Sequence, residues 1–420
     1  VTKLSRTLLF PGLLLALCIN VQAQDESASC DLEGAALEQA KAVLQSTPLI
    51  DGHNDLPWVI REATGGDVLA YDLASSKDRD TDIPKLRAGL VGAQFWSVWV
   101  PGEIPPIDYG RVQLEQIDIA RQIINAHPDT LELARTADDI ERIFKAGKIA
   151  SLLGMEGGYA LYNSLGAMRS FYELGVRYMT LSHNVTLDWV DAALGEQTHG
   201  GLTNFGRAMV REMNRSGMMV DLAHTSPAAM HQALDETQAP VIWSHAAARA
   251  LVDHPRNVPD DVLKRLPENG GVVMVTFVPS FLSQEVWDME KTMWDTAAPL
   301  ELISEFRDTW LAYDAEHSAK RATIDQLIAH IEHVRDVAGI DHVGIGSDYW
   351  GMPDGPIGLE DVSGFPRLFA ALICHGWSEE DLAKLAGQNL LRVMRRVEEV
   401  AVQLQRETPP SNATIEQLDQ

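Results

Sequence analysis

The 420-residue chain reads as a (β/α)8 barrel. Three observations predict this: eight short apolar or β-branched runs between residues 48 and 348, a helically periodic stretch after them, and a histidine or carboxylate closing most of the runs. Barrels of this kind use more than about 250 residues as one domain, so the length does not require a second core.

In chain order the runs are "PLIDGH" from residue 48, "LVGAQFWSVWV" from 90, "IASLLGME" from 149 and "VRYMTLSH" from 176. They continue with "MMVDLAH" from 218, "PVIWSH" from 240, "VVMVTFV" from 272 and "HVGIGSD" from 342. Each has the length and the Val, Ile and aromatic content of a strand. The helices between them are clearest in two places. Ser226 and Pro227 open "SPAAMHQALDET" as N-cap and first helical residue, and "SEEDLAKLAGQNLLRVMRRVEEVA" begins at Ser378 with an acidic first turn. Residues 284–318, rich in Trp, Met and acidic side chains, form an insertion between the last two strands. A lid or subunit contact is conceivable there, but packing of the Trp side chains is the simpler expectation.

The ends of the chain differ from this body. Lys3 and Arg6 precede an apolar stretch, Leu8 to Val21, that ends at "VQAQ". This is the pattern of a secretory signal peptide over residues 1–23, and the apolar run is short for a membrane anchor. The expected organisation is a leader (1–23), a helical lead-in (24–46), the barrel domain (47–400) and a polar, loosely ordered tail (401–420) containing Pro409 and Pro410. An exported protein with cleavage near Ala23, periplasmic or secreted, follows. It would keep Cys30 and Cys374, whose pairing the sequence leaves open. Leu17 is bulkier than the residue normally preceding a lipid-bearing cysteine, which argues against lipidation at Cys18. With 60 acidic against 34 basic residues and a formal charge of −26, nucleic acid is excluded as a natural partner. No transmembrane segment is expected in the mature chain.

The chemistry stands at the strand ends: His53 and Asp55 after the first run, Glu156 after the third, His183 after the fourth. His224, His245 and Asp348 close the fifth, sixth and eighth. Active sites of such barrels lie at the C-terminal ends of the strands, so these distant residues would converge. Residues two apart on a strand face one side, which would aim His53 and Asp55 at one point and leave Asn54 without a catalytic role. Imidazoles with carboxylates suit Zn²⁺ or a related divalent ion, and Glu156 can bridge two of them. Two such ions would lower the pKa of a shared water and favour hydrolysis, with Asp348 left as proton carrier and His183 as a donor to a substrate carbonyl. His330 and His333, one helical turn apart, read as an ordinary helix face. His127, His231, His317 and His375 read as surface or helix residues, and His199 as a loop residue that could border the mouth.

Together "DGHNDLP", "GMEGG", "RYMTLSHN", "GLTNFGRAMVREMNRSGMMVDLAHTS", "WSHAAARALVDHPRNVPD" and "GIGSDYWG" resemble the membrane dipeptidase (renal dipeptidase) family of the amidohydrolase superfamily, from about residue 47 to 397. The resemblance implies a two-zinc barrel that hydrolyses dipeptides, often accepting a D-residue at the C-terminal position, and a homodimer. It further implies that His53 and Asp55 hold one zinc, His224 and His245 the other, and Glu156 both. His183 would contact the substrate carbonyl, Arg256 the free C-terminal carboxylate, and Asp348 would carry the proton from a metal-bridging hydroxide to the leaving amine. The chain departs from the family's "DFDG" at Tyr349 and Trp350, where an aromatic replaces the second acidic residue, and after the seventh strand. A related hydrolase of another amide, a lactone or a β-lactam is the nearest alternative. A dipeptide-binding protein that has lost catalysis is the other, though it would need neither metal ligands nor a proton shuttle.

Overall fold

The structure is a computed structural model and describes residues 30–75, 80–296, 307–313 and 320–419. All eight expected strands form: β1 (Leu49–Asn54), β2 (Val91–Ser97), β4 (Ile149–Glu156), β5 (Val176–Thr180), β6 (Met219–Asp221), β7 (Ile242–Ala246), β8 (Val272–Val275) and β9 (Val343–Ile345). Every pairing among them is parallel, β1 joins β9, and β2 joins β4, which closes the ring. A ninth strand, β3 (Leu131–Leu133), was not expected. It pairs with the first half of β4 while β5 pairs with the second half. Three residues, "LEL", are too few to show a period.

Strand β4 divides its side chains between two apolar layers. Ala150 and Leu152 join Ile50, Phe95, Tyr178 and Met274 in one cluster, whereas Leu153 and Met155 belong to the cluster on the other face. With a side-chain period of two, Gly154 and Glu156 therefore share the face of Ala150 and Leu152. The register of β1 against β2 shifts between Asp51 and Asn54, where His53 sits. Such irregularities re-aim side chains, so His53 and Asp55 do not converge by plain alternation.

The helices start where hydroxyl caps place them. Ser226 Oγ accepts the Ala229 N–H ahead of the helix Pro227–Glu236, and Thr323 forms a capping box with Gln326. The final helical stretch is broken into Glu379–Ala383, a π turn over Lys384–Gln388, and Asn389–Glu407. A Cβ on Gly387 would lie 2.3 Å from the Pro48 carbonyl oxygen, so the turn lets this element press onto the start of β1.

The tail is more ordered than its composition predicts. Beyond Glu407, Ser411 N–H bonds Glu212, Arg169 donates to the Ser411 carbonyl and to Asn412, and the Asp419 carboxylate receives the amides of Asn204 and Phe205 at the N-terminus of the helix Asn204–Ser216. The insertion contributes a helix over Gln284–Thr296 and helical residues 307–313, with Trp310 buried. The rest of it, His317 included, and the proposed leader lie outside the described residues. Cys30 and Cys374 are both disulfide-bonded. No described helix is long and apolar enough to cross a membrane.

Candidate active site

The strand ends bring together all seven residues expected at the barrel mouth. His53 Nε2 lies 3.2 Å from Glu156 Oε2, 3.5 Å from Asp55 Oδ2 and 3.9 Å from Asp348 Oδ1. On the other side of the glutamate, Glu156 Oε1 is 2.9 Å from His224 Nε2, 3.4 Å from His245 Nε2 and 3.8 Å from His183 Nε2. Glu156 is thus central, with one carboxylate oxygen facing each group. The set His53, Asp55, Asp348 and the sets joining Glu156 to His53 and His245, or to His183 and His224, each place potential ligand atoms within 4.8 Å of one another. His53 Nε2 and Asp55 Oδ1 are buried without a hydrogen-bond partner. Orphaned donor atoms among imidazoles and carboxylates are what a divalent cation requires.

Three of the imidazoles are held from behind. His53 Nδ1 meets Tyr178 Oη at 2.8 Å, His224 Nδ1 meets Asn184 Oδ1 at 3.0 Å, and His245 Nδ1 meets Ser244 Oγ at 2.9 Å. Ser244 Oγ in turn donates to the buried Asp221 carboxylate, which also receives the Thr180 hydroxyl and the amides of Ala223 and Ser244. Burial, reinforced by the nearby Arg256 and His53 charges, pushes the pKa of His183, His224 and His245 well below the ordinary imidazole value. Neutral rings suit metal coordination, and the Nε2 atoms of His224 and His245 converge to 2.9 Å of each other. For His53 burial acts in the same direction, but Tyr178, Glu156 and Asp55 outweigh it and hold its pKa well above that value.

The remaining groups surround this centre. Burial raises the Asp348 carboxyl well above the carboxylate range. Arg256 is 4% exposed, stacks its guanidinium 5.2 Å from the Phe281 ring, and leaves Nε and Nη2 without partners. Burial lowers its pKa to about 10, so it stays cationic at neutral pH. Two site residues adopt the left-handed backbone region, His224 at φ 66° and Asp348 at φ 68°, as does Trp350 at φ 75°. Non-glycine residues persist there only where surrounding structure fixes them. A Cβ on Gly351 would fall 2.3 Å from Asp348 Oδ1 and 2.6 Å from Asp55 Oδ2, so glycine is required beside the two carboxylates.

Other candidates lie elsewhere. His199 is exposed and bonds the Leu187 carbonyl through Nε2 while its amide bonds Asp191, so it fixes its own loop. His330 is buried, accepting the Ala248 N–H and meeting the Leu282 carbonyl, and His333 pairs with Asp260. Asn54 caps the Leu56 amide and bonds Thr81. The aromatic departure Trp350 is tied into the insertion: Arg307 lies 5.1 Å over its ring and 3.1 Å from Asp80, whose carboxyl burial raises to about 6. Sequence reasoning missed Tyr178, Asn184, Ser244 and Asp221. Tyr178 and Ser244 sit inside runs that read as strand core, and only strand register exposes their role.

Comparison with known proteins agrees with this geometry. The sequence profile of "Membrane dipeptidase (Peptidase family M19)" matches residues 37–408. Dipeptidase 3 of Mus musculus is 40% identical over 368 residues, covering 86% of this chain and 67% of the relative, and Dipeptidase 3 of Rattus norvegicus is likewise 40% identical. Among solved structures, the probable dipeptidase PvdM from Pseudomonas aeruginosa superposes with a TM-score of 0.76 at 24% identity, covering 87% of this chain and 99% of that one. A metallo peptidase from Rhodobacter sphaeroides, solved with a phosphinate mimic of L-Ala-D-Ala, gives 0.71 at 24% identity, covering 84% and 99%. A barrel mouth lined with imidazole and carboxylate donors, a family profile spanning most of the chain and relatives at 40% identity have one reading: the chain belongs to the membrane dipeptidase family of metal-dependent hydrolases.

Proposed function

We propose that the chain is an exported, two-zinc dipeptidase that accepts dipeptides with a D-residue at the C-terminal position. The observation that carries the reading is the pairing of two ligand groups around Glu156 with a buried, half-unpartnered Arg256. In this reading His53 and Asp55 would hold one ion, His224 and His245 the other, and Glu156 would contribute to both. Ions held there would supply a water of lowered pKa as nucleophile near neutral pH.

The protein's own groups do the rest. The Arg256 guanidinium takes the substrate's C-terminal carboxylate, for which its free Nε and Nη2 form a fork. His183, neutral because it is buried, donates a hydrogen bond to the carbonyl oxygen as the C–N bond opens and a C–O bond forms. Asp348 accepts the proton released from the attacking water and delivers it to the leaving amine, so the products are two free amino acids. The disulfide-bonded state of Cys30 and Cys374 supports an oxidising compartment, in keeping with the leader-like residues 1–23.

The test is Asp348→Asn in metal-replete protein, assayed on L,L- and L,D-dipeptides beside lactones and a β-lactam. Metal content is expected to be unchanged and dipeptide turnover to fall by about 10²–10⁴, the usual contribution of a proton-transfer group. Full turnover in the variant would refute the shuttle, and lactone cleavage without dipeptide cleavage would move the chain to another hydrolase class.

A further inference from the structure

Tyr178 brings a hydroxyl to the ring of a mouth histidine from another strand of the barrel. It lies on β5, is fully buried, and its Oη sits between His53 Nδ1 at 2.8 Å and the Gly52 carbonyl oxygen at 3.0 Å. The carbonyl can only accept, so the phenolic hydrogen goes to Gly52. The phenolic oxygen is then left to accept the His53 Nδ1–H.

The position is built into the neighbouring strand. Gly154 on β4 is in register with Tyr178, and a Cβ on it would lie 2.0 Å from the Tyr178 Cζ and 2.3 Å from Oη. Any other residue at 154 would displace the ring. Phe95 on β2 packs on it with ring centroids 5.0 Å apart. The ring is thus confined by an absent side chain and an aromatic neighbour, and its hydroxyl has one place to be.

We infer that Tyr178 is a positioning residue that fixes His53 with its proton on Nδ1, so that Nε2 is presented as the metal-facing lone pair. This rests on the two-metal reading of the mouth. It also separates the two ligand groups, because His224 and His245 use a side-chain amide and a serine backed by Asp221 for the same task. The anchor of His245 is the adjacent residue and that of His224 lies 40 residues away, whereas the anchor of His53 comes from 125 residues away.

The experiment compares the full chain with Tyr178→Phe, which keeps the ring and removes the oxygen. Zinc affinities are measured by chelator competition, and nitrogen NMR is recorded on histidine-labelled protein, with His53 assigned by its loss in His53→Gln. In the unmodified protein His53 is expected to carry a slowly exchanging Nδ1–H. In Tyr178→Phe that signal is lost and one of the two zinc affinities weakens about 10–100-fold, the scale on which such outer partners act, while the other stays unchanged. Equal affinities in both proteins, or a His53 protonated on Nε2 alone in the unmodified protein, overturns the inference. Should the unmodified protein bind no zinc, the metal reading fails instead, and the His53 signal still decides the role of Tyr178. The NMR result on the unmodified chain stands even if the variant does not fold.

Discussion

Arg256 has a role that depends on where it is buried more than on what it is. In sequence, "HPRNVPD" offers a charged residue in a turn, and without the family resemblance a surface charge is the simpler reading. In the structure its amide bonds His254 Nδ1, and His254 is clamped between Phe281 at 4.2 Å and Trp287 at 4.1 Å. The turn is thus anchored by the insertion, and the guanidinium is delivered, desolvated and unpaired, beside the site. A buried cation with two free donors loses much of its energy if the anion it serves is removed. Truncating one partner of such a pair costs about 2–5 kcal/mol. Arg256→Ala is therefore expected to raise KM for dipeptides by at least roughly thirty-fold, the equivalent of about 2 kcal/mol. Substrates with an amidated C-terminus should lose far less, and Arg256→Lys should recover only part of the difference because the fork is gone. Equal losses on carboxylate and amide substrates, read from steady-state kinetics, would remove the carboxylate from its role.

At the scale of elements, the helix Gln284–Thr296 carries a liability. Glu290 is buried, its Oε1 has no partner, and burial raises its pKa to about 7 from 4.5, with a hydrogen bond from Ser280 opposing. A raised folded-state pKa means the native state binds the proton more tightly than the unfolded state. Its stabilising contribution is complete below pH 4.5 and is lost as the pH rises through about 7. At about 1.4 kcal/mol per pKa unit, the charged form costs roughly 3 kcal/mol above neutrality. Glu290→Gln should raise the melting temperature at pH 8, leave it nearly unchanged at pH 4, and flatten the profile between; parallel profiles for the two proteins would refute this. Neither Glu290 nor the insertion's helical pieces were legible in detail, because acidic residues on an amphipathic stretch look solvated until the packing partner is known. The eight strands were legible, since each is a buried parallel strand that reads as a continuous apolar run. The π turn at Lys384–Gln388 was not, because only the approach of Gly387 to Pro48 calls for it.

Over the whole molecule, the mouth of the barrel concentrates charge that the fold cannot neutralise alone. Asp55, Glu156 and Asp348 are buried within a few ångströms of His53, and Asp51 and Asp221 lie buried on β1 and β6 of the same barrel. The last two are satisfied internally: Asp51 receives the Ser347 amide and hydroxyl and Gln94, and Asp221 receives Thr180, Ala223 and Ser244. That contrast explains why the sequence shows the ligand residues but not their scaffold. The ligands close the apolar runs or follow them, whereas Asp51 and Asp221 stand within the runs "PLIDGH" and "MMVDLAH" and reveal their partners only through register. The three mouth carboxylates, of which Glu156 receives the Ser97 hydroxyl while Asp55 Oδ1 has no partner, repel one another in a low-dielectric space, and divalent cations would offset this while joining β1, β4, β6 and β7 at one end. Binding to the native state alone stabilises it by mass action, about 2.7 kcal/mol when free metal is a hundred times Kd. Chelation is therefore expected to lower the melting temperature by several degrees. Zinc should restore it in a concentration-dependent way, and sodium chloride should not, because the cluster is shielded from screening ions. A melting curve unmoved by chelation in protein from which the metal has demonstrably been removed would show that the acidic mouth is held by the barrel's packing and not by a bound cation.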